Sequence, residues 1–200
     1  MLGTPITVGQ GANGVAVTPY CTGHPFADVP AWVDPAVVWA SCGRYMTGYP
    51  GNLFKPNNNM TRAQVANLLH GLAGTPPPGA GCGGLTDVPA WAKDAICWLV
   101  NQGYATGYPD NTFRPDNPIS RGQVTRMLFR SQGSPPGSPP NTFTDVPDWI
   151  DKAVDWIADP ARTPPYANGY TDNTYRPDNN ISRAENTRMT CRINTTPGTC

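Results

Sequence analysis

The sequence predicts a mainly α fold in which three helix-loop-helix repeats pack around a shared centre, preceded by an extended N-terminal segment. Three observations carry this. A shift of 59 residues lays Phe26-Ala-Asp-Val-Pro-Ala-Trp32 on Leu85-Thr-Asp-Val-Pro-Ala-Trp91, and a further 58 reaches Phe143-Thr-Asp-Val-Pro-Asp-Trp149, so one unit occurs three times. A second block recurs in the same order: Thr47-Gly-Tyr-Pro-Gly-Asn-Leu-Phe-Lys-Pro56, Thr106-Gly-Tyr-Pro-Asp-Asn-Thr-Phe-Arg-Pro115 and Asn168-Gly-Tyr-Thr-Asp-Asn-Thr-Tyr-Arg-Pro177. The 200 residues also include 24 Pro and 21 Gly, nearly twice the ordinary share of about 12%, which excludes long uninterrupted helices. A unit of about 50 residues is too small to bury a stable core by itself, so the copies are expected to share one.

The elements follow in order. Residues 1–25 form the extended segment, in which Ile6-Thr-Val8 and Val15-Ala-Val17 alternate like an exposed strand. Repeats span 26–74, 85–133 and 143–195, separated by a Pro/Gly linker at 75–84 and a Pro/Ser linker at 134–142, with a tail at 196–200. Such Pro-rich spacers are stiff and have no core of their own. The first helix of each repeat is expected to open at Asp-Val-Pro, with Asp28, Asp87 and Asp145 supplying the capping oxygen and Pro tolerated in the first turn. In repeat two, Trp91, Ala95 and Trp98 then share one apolar face and Gly103 is a C-terminal stop. The Gly-Tyr block reads as turns with Phe113 as a plug into the core. The second helices open at capping boxes, Thr61 with Gln64, Ser120 with Gln123 and Ser182 with Glu185. Val65, Leu68, Leu69 and Leu72, and in the next repeat Val124, Met127 and Leu128, form their buried faces. Repeat three carries four extra residues within 159–167.

Charge narrows the function. Charged residues make up 14% of the chain and the 14 basic and 14 acidic side chains cancel, which excludes a disordered polyelectrolyte and a general nucleic-acid binder. The cations are mostly Arg, whose planar fork reads carboxylates in fixed orientation. No apolar run is long enough to span a membrane. Met1–Gln10 lacks the basic and apolar regions of a signal peptide, so the export signal is expected outside this numbering. The six cysteines, Cys21, Cys42, Cys82, Cys97, Cys191 and Cys200, contain no C-x-x-C pair and read as disulfides, placing the chain outside the cytoplasm. Pairings Cys21–Cys42, Cys82–Cys97 and Cys191–Cys200 would close short loops and are the preferred set among 15 connectivities.

Enzyme chemistry has no support. His24 and His70 sit in no zinc motif, there is no G-x-S-x-G, and the Asp residues recur as caps and turns rather than as a catalytic pair. No cofactor or metal is expected: the Asp110-Asn111 and Asp116-Asn117 clusters fail the calcium-loop spacing and read as turns. The feature that stands out is an arginine in the first turn of every second helix, Arg62, Arg121 and Arg183. The helix dipole disfavours a cation there by about 0.3–1 kcal/mol. Either these arginines are solvated or locally paired, or an anionic ligand is their counterpart, with free helix N–H groups joining in. Trp32, Trp91 and Trp149, with Tyr49, Tyr108 and Tyr170, read as core or turn packing, or as flat platforms for a sugar face beside the arginine.

With these motifs in hand the chain resembles the S-layer homology (SLH) domain, in three tandem copies over about Phe26 to Thr195. The resemblance rests on Phe-x-Asp-Val-Pro-x-Trp, the Gly-Tyr-x-Asp-Asn-x-Phe-Arg-Pro turn and the Thr/Ser-Arg-Ala-Glu helix start. It implies a pseudo-threefold spindle around a central three-helix bundle, with grooves between neighbouring repeats. It also implies a secreted cell-wall or S-layer protein that tethers itself by binding a secondary wall polysaccharide, often one bearing a ketal-linked pyruvate. Carried over by motif, the ligand-binding set is Asp28, Trp32, Gly48 and Arg62; Asp87, Trp91, Gly107 and Arg121; Asp145, Trp149, Gly169 and Arg183. Gln64 and Gln123 depart from the pattern by replacing Glu, and Gly122 by replacing Ala. A rival reading makes the chain a structural subunit of a surface layer or filament, assembled with other copies of itself through repeat contacts and the N-terminal strand.

Overall fold

The computed structural model describes residues 21, 23–196 and 198–200, so the strand-like stretches expected at Ile6–Val8 and Val15–Val17 lie outside the described residues. Six helices succeed one another among those described: α1 (Asp34–Cys42), α2 (Arg62–Leu72), α3 (Lys93–Asn101, led in by a 3₁₀ turn at Ala90–Ala92), α4 (Arg121–Ser131), α5 (Asp151–Ile157) and α6 (Arg183–Asn194). No strand longer than an isolated bridge occurs among the described residues, and the chain is mainly α as predicted.

The second helices of the repeats begin where their sequence dictates. Thr61, Ser120 and Ser182 each accept the backbone N–H of Gln64, Gln123 or Glu185, whose side chain accepts the N-cap N–H in return, completing all three capping boxes. The first helices behave differently. They start six residues after the conserved-looking Asp of each repeat, at Asp34, Lys93 and Asp151, with Val33, Ala92 and Ile150 at the N-cap and no side-chain cap. Asp28, Asp87 and Asp145 are therefore not N-caps. Their carboxylates are already committed to the Gly-Tyr turns: Asp28 accepts from Phe54 N and Lys55 N at 2.7 and 2.8 Å. Asp87 does the same for Phe113 and Arg114, and Asp145 for Tyr175 and Arg176.

The face expected for helix one is corrected in the same region. Ala95 and Trp98 are buried, but Trp91 is 59% exposed. It stands in the 3₁₀ turn, whose three residues per turn break the i, i+4, i+7 register before the α-helix begins. Gly103 does end the segment, at φ 72°. The predicted plug is fully buried, as are its counterparts Phe54 and Tyr175.

The repeats close into a ring. Met60 N donates to Ile181 O, Ile119 N to Met60 O and Ile181 N to Ile119 O, at 2.9, 2.9 and 3.1 Å. This triangle joins all three repeats immediately before their second helices, and its three side chains are fully buried. The lateral packing has the same cyclic order: α3 packs on α2, α5 on α4 and α1 on α6. Each second helix thus finds its apolar partner in the next repeat, so the repeats share their core.

All three preferred disulfides are present, with Cα–Cα separations of 5.6 Å for Cys21–Cys42, 4.2 Å for Cys82–Cys97 and 6.2 Å for Cys191–Cys200. The insertion in repeat three is looped out. Tyr166 beyond it still meets Trp156 at 5.3 Å between ring centroids, as Tyr104 meets Trp98 at 5.4 Å and Tyr45 meets Trp39 at 5.0 Å.

Candidate binding grooves

The first-turn arginines are nearly buried, Arg62 and Arg183 at 4% exposure and Arg121 at 6%. Each reaches into the Gly-Tyr turn of the following repeat. Arg62 donates from Nε to Phe113 O at 2.7 Å and from Nη2 to Thr106 O at 3.1 Å. Arg183 does the same to Phe54 O and Thr47 O at 2.8 and 2.7 Å. Arg121 donates from Nη2 to Asn168 O and lies 3.6 Å from the Glu185 carboxylate, while its buried Nε has no partner among the described residues. Turn carbonyls therefore offset the helix-dipole penalty from within the protein.

The backbone N–H groups expected to join these arginines in an anion receptor are occupied as well. In α2, Arg62 N donates to Asn117 O and Ala63 N to Pro115 O, both in the next repeat, and Gln64 N to the Thr61 hydroxyl. The other second helices repeat the pattern on Asn179 and Pro177, and on Asn58 and Pro56. What these helix ends offer a ligand is the guanidinium edge, not the dipole. Burial lowers the pKa of Arg62 and Arg183, opposed by Tyr108 and Tyr49. Those tyrosines are held between two cations: Tyr108 between Arg62 and Arg114, at 5.0 and 3.9 Å from the ring centroid, and Tyr49 between Arg183 and Lys55, at 5.0 and 4.5 Å.

The predicted aspartates and glycines shape this turn. Burial pushes the Asp28 carboxyl up, but hydrogen bonds from Phe54 and Lys55 outweigh it and hold the group below its usual range. Gly48, Gly107 and Gly169 leave room for Phe26, Leu85 and Phe143, with which a Cβ would collide. Close approach, rather than backbone conformation, requires glycine there.

Two open grooves result. The first is lined by Arg62, the Tyr104–Pro109 turn, the α4 residues Gln123, Arg126, Met127 and Arg130, and Trp149. The second has Arg121, the turn from Tyr166 to Tyr170, the α6 residues Glu185, Arg188, Met189 and Arg192, and Trp32. Each groove draws its arginine from one repeat, its turn from the next and its tryptophan from the third. The structure thus brings together Arg62, Gly107 and Trp149, and Arg121, Gly169 and Trp32, across repeats rather than within them. The three aspartates do not line either groove. Arg183 and Gly48 meet at the third junction through the Thr47 carbonyl, where the 3₁₀ turn bearing Trp91 packs on α2.

Trp32, Trp91 and Trp149 are 49%, 59% and 43% exposed, so they are surface residues rather than core residues. The groove volumes, about 250 and 170 Å³, fall below the roughly 300–1,000 Å³ of pockets that engulf a drug-sized ligand.

Sequence reasoning missed Arg126, Arg130, Arg188 and Arg192. Their signal was available, because Gln123, Arg126, Met127 and Arg130 fall at i, i+3, i+4 and i+7, a single helix face, as do their α6 counterparts. Among the described residues no cluster of His, Cys, Asp or Glu could hold a metal ion, and the Asp110 carboxylate instead accepts from Thr112 and pairs with Arg114 in its turn.

A ring of three repeats with grooves assembled at their junctions defines a repeat-built, mainly α module. The S-layer homology domain profile matches residues 25–66, 85–125 and 166–185, about half of the chain, and the protein belongs to that family. It is similar to the cellulosome-anchoring protein of Acetivibrio thermocellus, 32% identical over 163 residues that cover 72% of this chain and 34% of that protein. It is also similar to cell surface glycoprotein 1 of the same organism, 31% identical over 172 residues covering 78% of this chain and 7% of the relative. Outer membrane protein SlpA of Deinococcus radiodurans is 50% identical over 48 residues, 23% of this chain and 4% of that protein. The chain spans about a third of the first relative's length and far less of the other two.

Proposed function

We propose that this chain is a non-catalytic module that anchors a protein at the cell surface by binding an anionic wall polysaccharide outside the cell. The observation that carries this reading is the composition of the two grooves: a guanidinium-rich wall facing an exposed indole, open to solvent. An indole face receives the apolar face of a sugar ring, and a planar guanidinium pairs bidentately with a carboxylate. A ketal-linked pyruvate supplies such a carboxylate on the sugar itself. The cellulosome-anchoring and cell-surface relatives, and membership of the family, support the anchoring role.

Calorimetric titration of the chain with wall glycan carrying its pyruvate, and with the same glycan after mild acid removal of the ketal, tests the reading. Binding is expected only with the acid in place and to weaken with salt, since exposed charge pairs are screened. Equal affinity for both glycans overturns it. Concentration-dependent polymers that form without glycan, seen by analytical ultracentrifugation, favour the surface-layer subunit instead.

A further inference from the structure

We infer that the three junctions are not equivalent, and that Arg126 and Arg188, each lying against an exposed indole, restrict the acidic sugar substituent to two grooves and leave the third acid-blind. This deepens the proposed function and rests on it.

Laying the second helices on one another in register places Arg126 of α4 over Arg188 of α6 and Asn67 of α2, and Arg130 over Arg192 and Gly71. The arginine pair is present on two helices and absent from the third. Within each pair the roles differ. Arg130 is tied to Gly103 O at 3.0 Å, and Arg192 to Pro165 O at 2.9 Å and Cys200 O at 3.3 Å. Arg126 makes no hydrogen bond or ion pair among the described residues, and the buried Nε of Arg188 has no partner among them.

What these two side chains do have is an indole. Arg126 stands 5.7 Å from the Trp149 ring centroid and Arg188 stands 5.5 Å from that of Trp32. At the third junction no cation lies over Trp91 among the described residues, and this tryptophan is the most exposed of the three.

Two cations one helical turn apart, with no carboxylate between them, repel each other until an anion enters. Burial and then the neighbouring arginine lower the pKa of Arg130 and Arg192, as that arrangement requires. No carboxylate lines the first groove, whereas Glu185 faces Arg121 in the second. The affinity order for an acidic sugar is therefore first groove, second groove and, far behind, the third junction. Two acid-reading grooves on one ring give a divalent grip on a repeating polymer.

The test uses the full chain labelled with 5-fluorotryptophan and, as probe, a methyl hexopyranoside bearing a 4,6-linked pyruvate ketal. Fluorine resonances are assigned by single Trp→Phe variants. Saturable shifts are expected for Trp149 and Trp32 and none for Trp91, with two sites by calorimetry. Arg126→Gln should weaken the Trp149 response about tenfold and spare Trp32, Arg188→Gln should do the reverse, and Asn67→Arg should create a response at Trp91. Three equal responses, or wild-type behaviour of Arg126→Gln and Arg188→Gln, overturn the inference while leaving glycan anchoring intact. No response at any tryptophan, combined with no pyruvate-dependent glycan binding, overturns both.

Discussion

The inner and outer walls of the grooves are both arginine, yet they obey different rules. On the inner wall Arg62, Arg121 and Arg183 recur in every repeat, are nearly buried and donate to turn carbonyls of the neighbouring repeat. On the outer wall Arg126 and Arg188 occur in two repeats, are partly exposed and touch little besides an indole. In this molecule, what recurs three times closes the ring, and what varies between repeats lines the grooves.

The sharpest way to break this comparison is to remove one arginine from each wall. Arg62→Ala strands the buried Phe113 carbonyl and the Thr106 carbonyl, and should cost about 3 kcal/mol of unfolding free energy in urea. Arg183→Ala should match it, and Arg121→Ala should cost about half as much, because it abandons a single carbonyl. Arg126→Ala should change stability by less than about 0.5 kcal/mol. Equal losses on the two walls would end the distinction.

Asn186 tests the rule from the other side. It varies between repeats, standing where α2 and α4 carry Val65 and Val124, but it lies fully buried and lines no groove. Neither its amide nitrogen nor its oxygen has a partner among the described residues. A buried amide without partners is costly, so Asn186→Val should raise stability by about 1–2 kcal/mol in the same denaturation experiment. A loss would show that the amide satisfies a polar need of the core, and that variation in this ring is not confined to ligand reading.

These contrasts explain what the sequence made legible. The capping boxes, the Gly103 stop and the Phe113 plug are local devices, set by residues a few positions apart, and the structure has them where they were read. The grooves are assembled by ring closure, which sets Arg62 beside Gly107 and Trp149 from two other repeats, so a set grouped repeat by repeat was bound to mix partners. Asp28, Asp87 and Asp145 misled because a carboxylate before Pro carries the same signature whether it caps a helix or clamps a turn some 26 to 31 residues away. The outer arginines were legible as one helix face and as a difference between aligned repeats, not as a feature that all three repeats share.

A smaller effect sharpens the contrast between the two open grooves. Glu185→Gln keeps the capping acceptor, as Gln64 and Gln123 show in the other repeats, but removes the negative charge 3.6 Å from Arg121. Affinity of the second groove for the pyruvylated glycoside should rise about threefold, the scale of a partly exposed ion pair, while the first groove is unchanged in the Trp149 fluorine signal. No gain at Trp32 would mean that Glu185 does not compete with the ligand for Arg121.

The smallest effect concerns the turns that carry the grooves, and its sign follows from their carboxylates. Hydrogen bonds from the Thr174 side chain, then the side chain of Arg176, hold the exposed Asp172 carboxyl at about 2, below its ordinary 3.8. Asp110 is lowered by the same partners in repeat two, Thr112 and Arg114. A group whose folded pKa is depressed contributes its stabilisation in full above the unfolded value and loses it as pH falls through the folded one. The Asp172 turn should therefore hold unchanged down to about pH 4 and loosen between there and about pH 2, read by amide exchange at Thr174, and the Asp110 turn should shift in the same direction, read at Thr112. The corresponding turn of repeat one has Gly51 in place of this Asp, so its exchange should show no such step from this source. If Leu53, at the position of Thr112 and Thr174, loosened over the same interval, the acid sensitivity of that turn would belong to its Asp28 clamp.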